Sequence, residues 1–292
     1  MILKLGSTGK LVKALQNFLK IVSDGVFGPK TEAAVKAWQA NNNLKPDGIV
    51  GPKTWDAMGL ATTDSSELII NSDDLVIIPN FLPKGEYKTG PTEKEYVFLH
   101  HTAGWNNPYN TIRNWGNDTR GSIATEFVLG GPKITNGENK YDGVLLQAFP
   151  EGGYGWHLGK NGSQYMHTNS VGIEVCNFGW LKNGKTYVGG VAHPDQIVKL
   201  AKPFRGFTEW HRYSDKQIEV LKKWILFVAE RDSIDVRNGL PKWIKEKGAA
   251  AFEFNENAYY GKVKGLLTHT NTRKDKFDMF PQQELMDMLV SL

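Results

Sequence analysis

Along the first 60 residues, apolar positions recur at helical spacing. Leu11, Val12, Leu15, Phe18 and Leu19 form one stripe, and Ala33, Val35, Trp38 and Gln39 lie on one side of a second helix. After each stripe comes a copy of one turn: Asp24-Gly25-Val26-Phe27-Gly28-Pro29-Lys30-Thr31 returns as Asp47-Gly48-Ile49-Val50-Gly51-Pro52-Lys53-Thr54. Glycines turn the chain, and a proline then takes a helix's first turn, where its missing N–H breaks no bond. Three short helices joined by two matching turns are predicted for residues 1–60. Residues 61–74 are small and polar at their start and read as a linker.

From Leu75 the period shortens. Short β-rich runs at Tyr96–His101, 125–129, 144–149, 171–176 and 263–268 are separated by glycine-rich loops, and one strong amphipathic helix covers 215–231. The expected fold class is α+β or α/β: a mixed central sheet flanked by helices over residues 75–292, behind the small three-helix bundle. Residues 178–210, rich in glycine and aromatics, read as a loop that either lines a groove or serves as a packing flap. Residues 241–260 read as a further insertion with no assigned role.

The 292 residues have a mean hydropathy of −0.41, and no run approaches the ~18 apolar residues of a membrane span, so membrane insertion is not expected. Residues 1–10 carry polar groups and glycines where a secretory signal needs an apolar core, and are expected to belong to the folded protein. A single cysteine, Cys176, excludes an internal disulfide framework. The net charge of +4 is concentrated: residues 1–60 hold eight lysines against four acids, and the rest of the chain balances. A basic small domain suits an anionic polymer such as cell wall or nucleic acid, although a solvated lysine surface gives the same charge.

The candidate chemistry starts with His100 and His101, which end an apolar strand. Side chains alternate along a strand, so the two point to opposite faces and only one is expected in a given pocket. Far downstream His269 follows another apolar strand, and Asp278 stands nine residues beyond it. Two imidazoles and a carboxylate, with a fourth position open to water, form a recurring catalytic zinc set; taken singly, each histidine reads as structural or exposed. Glu174, between Ile173 and Val175, is costly in an apolar strand unless it is used or paired with a buried lysine. Cys176 lacks the surroundings of a catalytic thiol and is expected to be buried and inert. His167, His193 and His211 have no partner at ligand spacing and are expected at the surface.

Two resemblances follow from these motifs. The repeated turn in its helical frame makes residues 1–60 resemble the peptidoglycan-binding domains found at the ends of wall hydrolases. Residues 96–281 resemble the zinc-dependent N-acetylmuramoyl-L-alanine amidase family, which includes phage lysozyme-type amidases, bacterial muropeptide amidases and animal peptidoglycan recognition proteins. Three blocks carry the likeness: Leu99-His100-His101-Thr102-Ala103; then Trp156-His157-Leu158-Gly159 with Asn169-Ser170-Val171-Gly172-Ile173-Glu174; then His269 with Lys276 and Asp278.

The resemblance implies that His100, His269 and Asp278 hold a Zn2+ ion. It makes Glu174 the proton-transferring carboxylate and Lys276 the oxyanion stabiliser, and makes His157, His101, Asn169 and Trp156 substrate contacts. Departures from the family are visible. Asp278-Met279-Phe280-Pro281 replaces the usual Asp-Pro-Gly-Pro, some relatives use cysteine where Asp278 stands, and Asp275 competes for the same role. Glu126 occupies a position often held by histidine or tyrosine, and is either a substrate contact or a strand polar residue.

The implied activity is hydrolysis of the amide between N-acetylmuramic acid and L-alanine, with peptidoglycan as partner, no nucleic acid, and a monomeric enzyme. The implied setting is a phage endolysin, kept in the host cytoplasm until released to the wall. A bacterial autolysin or spore enzyme, a non-catalytic recognition protein and a peptidase acting within the stem peptide stand as alternatives.

Overall fold

A computed structural model describes residues 2–58, 69–70, 75–90, 92–135, 139–159 and 163–292. The chain forms two compact units, Met1–Pro79 and Asn80–Leu292. The predicted linker 61–74 lies outside the described residues, save for positions 69–70.

The first unit contains α1 (Lys10–Phe18), α2 (Pro29–Asn41) and α3 (Pro52–Ala57), followed by β1 (Ile69–Ile70) paired antiparallel with β2 (Val76–Pro79). Val12, Leu15, Phe27, Val35, Val50 and Trp55 form its buried interior. The repeated turn works by a buried glutamine. Gln16 Nε2 donates to Asp24 Oδ1, the Val26 carbonyl and Thr31 Oγ1 at 2.7–3.0 Å, and its Oε1 accepts from the Gly25 amide at 2.8 Å. Gln39 makes the same four bonds with Asp47, Ile49, Thr54 and Gly48 at 2.9–3.1 Å. Gly25 and Gly48 have φ of 76° and 74°, a region glycine enters without penalty.

In the second unit, elements run β3 (Lys88–Thr89), β4 (Tyr96–His101), α4 (Pro108–Asn117), β5 (Phe127–Leu129), β6 (Leu145–Gln147) and β7 (Gly153–Tyr154). They continue with α5 (Gln164–Thr168), β8 (Ser170–Val175), β9 (Trp180–Leu181), β10 (Ile197–Phe204), β11 (Phe207–His211) and α6 (Asp215–Asp232). The last are α7 (Leu240–Lys247), α8 (Glu256–Tyr259), β12 (Gly265–Thr268), α9 (His269–Thr272) and α10 (Gln283–Val290).

The expected mixed sheet is present, in the order β6-β5-β8-β4-β12: β5, β8, β4 and β12 are parallel and β6 is antiparallel to β5. Parallel strands covered on both faces need apolar residues at nearly every position, and Tyr96 through Leu99 are all buried. Helix α6 opens with a capping box between Ser214 and Gln217, and it packs Trp224 edge-on against Phe127 of β5, ring centres 5.5 Å apart.

Residues 178–210 are more ordered than a loop. They supply β9 and most of a three-stranded antiparallel sheet in the order β10-β11-β9. The β10–β11 hairpin turns on Arg205 and Gly206, both at positive φ (51° and 86°), the backbone that suits the strand twist in a two-residue hairpin. Residues 241–260 likewise fold, into most of α7, a 3-10 turn at Gly248–Phe252, and α8. Among the described residues no helix is long and apolar enough to cross a membrane.

Candidate metal centre and active site

The parallel strands β4, β8 and β12 run side by side and finish together, so the residues at their carboxyl ends converge in the crevice where open α/β sheets place ligands. β4 ends in His100 and His101, β8 brings Glu174 level with His100, and β12 runs directly into His269 at the start of α9. The Thr270 amide donates to the Asp278 carbonyl at 3.1 Å and so ties the following loop back to α9.

His100 Nδ1, His269 Nδ1 and Asp278 Oδ2 form a nearly equilateral triangle. The two nitrogens are 3.1 Å apart and each is 3.2 Å from the carboxylate oxygen. All three residues are buried. Donors about 2.0–2.2 Å from a tetrahedral zinc stand a little over 3 Å from one another, so the triangle has the dimensions of one face of such a site. A cavity of about 520 Å³ reaches two of the three, His269 and Asp278, and is lined also by Glu174, Lys276, His101, Trp156 and His157. The residues present therefore fit a metal ion. Asp275 lines the cavity too, but its carboxylate is engaged by Arg273, leaving Asp278 as the carboxylate of the triangle.

Electrostatics favour donors over acids here. Burial pushes His100 down to about 4, which leaves its imidazole neutral at physiological pH. Burial opposes ionisation of Asp278, but His269 and His100 outweigh it and hold the carboxyl well below its usual range. Glu174 is the reverse: burial, reinforced by the Asp278 charge against the opposing Lys276, raises its carboxyl well above its ordinary 4.5. Glu174 Oε2 is also buried without a hydrogen-bond partner among the described residues. A buried carboxyl oxygen without a protein partner, at a strand position level with His100 and on the wall of the same cavity, is available to a small ligand.

Of the pair, His101 lines the cavity and His100 does not, as alternation along the strand requires. As the last residue of β4, His101 has its Nδ1 2.7 Å from Tyr213 Oη. Gly179 permits this, because a Cβ there would stand 2.8 Å from His101 Nε2. Asn169 does not line the cavity. Its side chain donates to the Glu93 carbonyl and its own carbonyl accepts from the Glu95 amide, which anchors the start of β8.

His167 and His211 are buried rather than superficial. His167 Nε2 donates to the Gly159 carbonyl at 3.2 Å, while His211 Nδ1 accepts from the Phe178 amide at 3.1 Å and burial lowers its pKa to about 3. Their backbone partners, invisible to a search for ligand spacing, explain their burial. His193 is partly exposed, and its ring accepts from the Asp195 amide at the start of a 3-10 turn.

Glu126 is a strand polar residue: it is buried and paired with Arg231 at 2.7 and 3.2 Å and with Gln147 at 3.0 Å. Cys176 is fully buried, with its thiol pushed up to about 12 by burial. The feature that sequence reading missed is the support of the Asp278 loop. Phe280 lies between Trp210 and Tyr213, with ring centres 4.7 Å from each, and Gln282 bonds both the amide and the carbonyl of Tyr213 at 2.8 and 2.9 Å.

Comparison with known proteins bears on both units. Residues 8–58 match the family model of peptidoglycan binding domains, and residues 90–246 match that of N-acetylmuramoyl-L-alanine amidases. The latter segment includes His100 and Glu174 and stops short of His269 and Asp278. No curated protein matches the chain.

Among solved structures, a fused Zn-dependent amidase/peptidase/peptidoglycan-binding protein of Clostridium acetobutylicum ATCC 824 is 38% identical over 22% of this chain and 31% of its own, with a TM-score of 0.20. The AmiD amidase of E. coli, solved with an anhydro-N-acetylmuramic acid peptide, is 18% identical over 50% of this chain and 46% of its own, with a TM-score of 0.33. The Ph2119 endolysin of a Thermus scotoductus MAT2119 bacteriophage is 14% identical over 73% and 97%, with a TM-score of 0.34. The chain thus spans about a third of the Clostridium protein and under half of AmiD.

Proposed function

Because the chain belongs to the N-acetylmuramoyl-L-alanine amidase family, we propose that it is a zinc-dependent peptidoglycan hydrolase that cuts the amide between N-acetylmuramic acid and L-alanine. The observation that carries this reading is the triangle of His100 Nδ1, His269 Nδ1 and Asp278 Oδ2 beside the orphan oxygen of Glu174.

An amide is a poor electrophile and neutral water a poor nucleophile. Zinc, when bound, lowers the pKa of water to about 7 and polarises a carbonyl. The chain's own groups do the rest. Glu174 accepts a proton from the attacking water and passes it to the leaving nitrogen of L-alanine, a transfer worth roughly 10²–10⁴ in rate. Lys276, on the cavity wall, stabilises the oxyanion that develops at the muramyl lactyl carbonyl, an effect of about 3 kcal/mol for a preorganised donor. Trp156 and His101 border the groove that receives the substrate.

The likeness of residues 8–58 to peptidoglycan binding domains supports a wall anchor, which raises the local enzyme concentration on an insoluble polymer. Its loss should slow attack on intact walls more than on soluble fragments. Our finer reading is of an endolysin, monomeric and held in the host cytoplasm until it is released to the wall. A binding-only role would be favoured by a missing donor, and none of the three is missing.

The test is to digest purified wall with metal-loaded protein, with chelator-stripped protein and with stripped protein resupplied with zinc, and to sequence the amino termini released. New L-alanine termini that disappear with chelation and return with zinc are expected. Activity that persists after complete zinc removal, or termini from within the stem, would overturn the proposal.

A further inference from the structure

A line of hydrogen bonds runs from the metal triangle through His157, on the cavity wall, to the buried Ser170. His100 Nε2 is 3.0 Å from His157 Nδ1, the two rings nearly perpendicular at 83°, and His157 Nε2 is 2.7 Å from Ser170 Oγ. Ser170 is buried, and its hydroxyl also reaches the His167 carbonyl at 3.4 Å. A carbonyl can only accept, so a hydroxyl that donates to it presents a lone pair to His157. Direction then propagates. His157 carries its proton on Nε2 and offers a bare Nδ1, and His100 donates its Nε2 proton there. The lone pair of His100 Nδ1 is left facing His269 and Asp278.

His269 is set the same way from another side, because its Nε2 lies 3.4 Å from the Leu158 carbonyl and must be the protonated nitrogen of that contact. The opposite sense along the line would put a proton on His100 Nδ1, inside the triangle, where it competes with a cation. Gly172 leaves room for the arrangement: a Cβ there would stand 3.1 Å from His157 Nδ1 and 2.8 Å from Thr125 Cγ2.

We propose that His157 and Ser170 form a tautomer-setting relay, anchored on the His167 carbonyl, that holds the Nδ1 lone pair of His100 in the metal triangle. His157, expected from the sequence to be a substrate contact, is on this account a positioning residue. The inference rests on the zinc reading above and deepens it. Outer partners of metal-bound histidines fix the ring and its proton, and their loss typically weakens metal binding about 10–100-fold.

The direct test uses the unsubstituted, metal-free protein with 15N-labelled histidine at neutral pH. Nitrogen shifts should show His157 protonated on Nε2 alone; a proton on His157 Nδ1, which would point the line the other way, overturns the relay without any variant having to fold. Zinc affinity by chelator competition gives a second readout. H157A and S170A should bind zinc about 10–100-fold and several-fold more weakly, and H157N, whose amide oxygen can accept from His100 Nε2, should recover most of the loss. Wild-type affinity in H157A overturns the relay and leaves the zinc reading standing, whereas absence of zinc binding by the wild type overturns both.

Discussion

Phe280 lies against Tyr213 with ring centres 4.7 Å apart and planes 20° from parallel, and Asp278 is two residues upstream. Trp210 covers the other side of Phe280 at 4.7 Å and 18°. The carboxylate of the triangle is therefore held through the backbone by an aromatic sandwich. Phe280→Ala should cost about 3–5 kcal/mol in a urea titration, as for a fully buried phenylalanine. It should also weaken zinc binding, whereas Phe280→Leu should retain more of both. A variant that loses stability and keeps full zinc affinity would show that the sandwich does not position Asp278.

Glu174→Gln should bind zinc as the wild type does and lose about 10²–10⁴ in kcat on soluble muropeptide. The buried carboxyl also has a signature in stability. Its folded pKa is raised above 4.5, so the metal-free folded state holds a proton that the unfolded chain has released, and stability falls as pH rises through that window. Metal-free Glu174→Gln should match the wild type near pH 4 and exceed it at higher pH. Parallel stability-pH curves for the two proteins would count against the assignment.

Asp24 and Asp47 carry the opposite sign in the first unit. Each accepts from a backbone amide two residues on, Val26 and Ile49, and that bond followed by one from Gln16 or Gln39 lowers its pKa below 3.8. Their contribution is fully present above about pH 4 and disappears as pH falls through the lowered folded values. Hydrogen exchange at the Val26 and Ile49 amides should accelerate below that point beyond the intrinsic pH dependence. In D24N and D47N the acid-induced component should be absent.

Arg231→Met should destabilise the second unit by about 3–5 kcal/mol, because it leaves Glu126 buried with Gln147 as its remaining side-chain partner. Zinc affinity should not change, since neither residue lines the cavity. The double variant Glu126→Gln, Arg231→Met should regain most of the loss. Additive losses would mean that the pair is uncoupled.

Much of the fold is legible because period and burial agree. The run Tyr96–His101 is a strand from end to end, and the predicted helix 215–231 extends by one residue. Spacing alone does not single out His100, His269 and Asp278, which lie far apart in the chain; the family resemblance groups them, and their side chains do cluster. Residues 178–210 read as a loop in sequence because β9 is two residues long and the eight-residue β10 is largely solvent-facing, so little apolar alternation marks them. His157 illustrates a different limit. Its motif placed it near the metal, but a bond to His100 Nε2 depends on strand register and on the absence of a side chain at Gly172, neither of which is written in local sequence. The burial of His167 and His211 is likewise absent from local sequence, since their partners are the Gly159 carbonyl and the Phe178 amide.

The paired glutamines of the first unit bear on how it would fail. Gln16 and Gln39, with their partners, are 23 residues apart at every position (16 and 39, 24 and 47, 31 and 54), and each set is complete within its own half. The two fastenings share no member, yet Val12, Leu15 and Phe27 from one and Val35, Val50 and Trp55 from the other pack into one interior, and Leu3 pairs with Val50. Damage to one turn should therefore loosen the other through the shared interior, and the unit should melt in a single step.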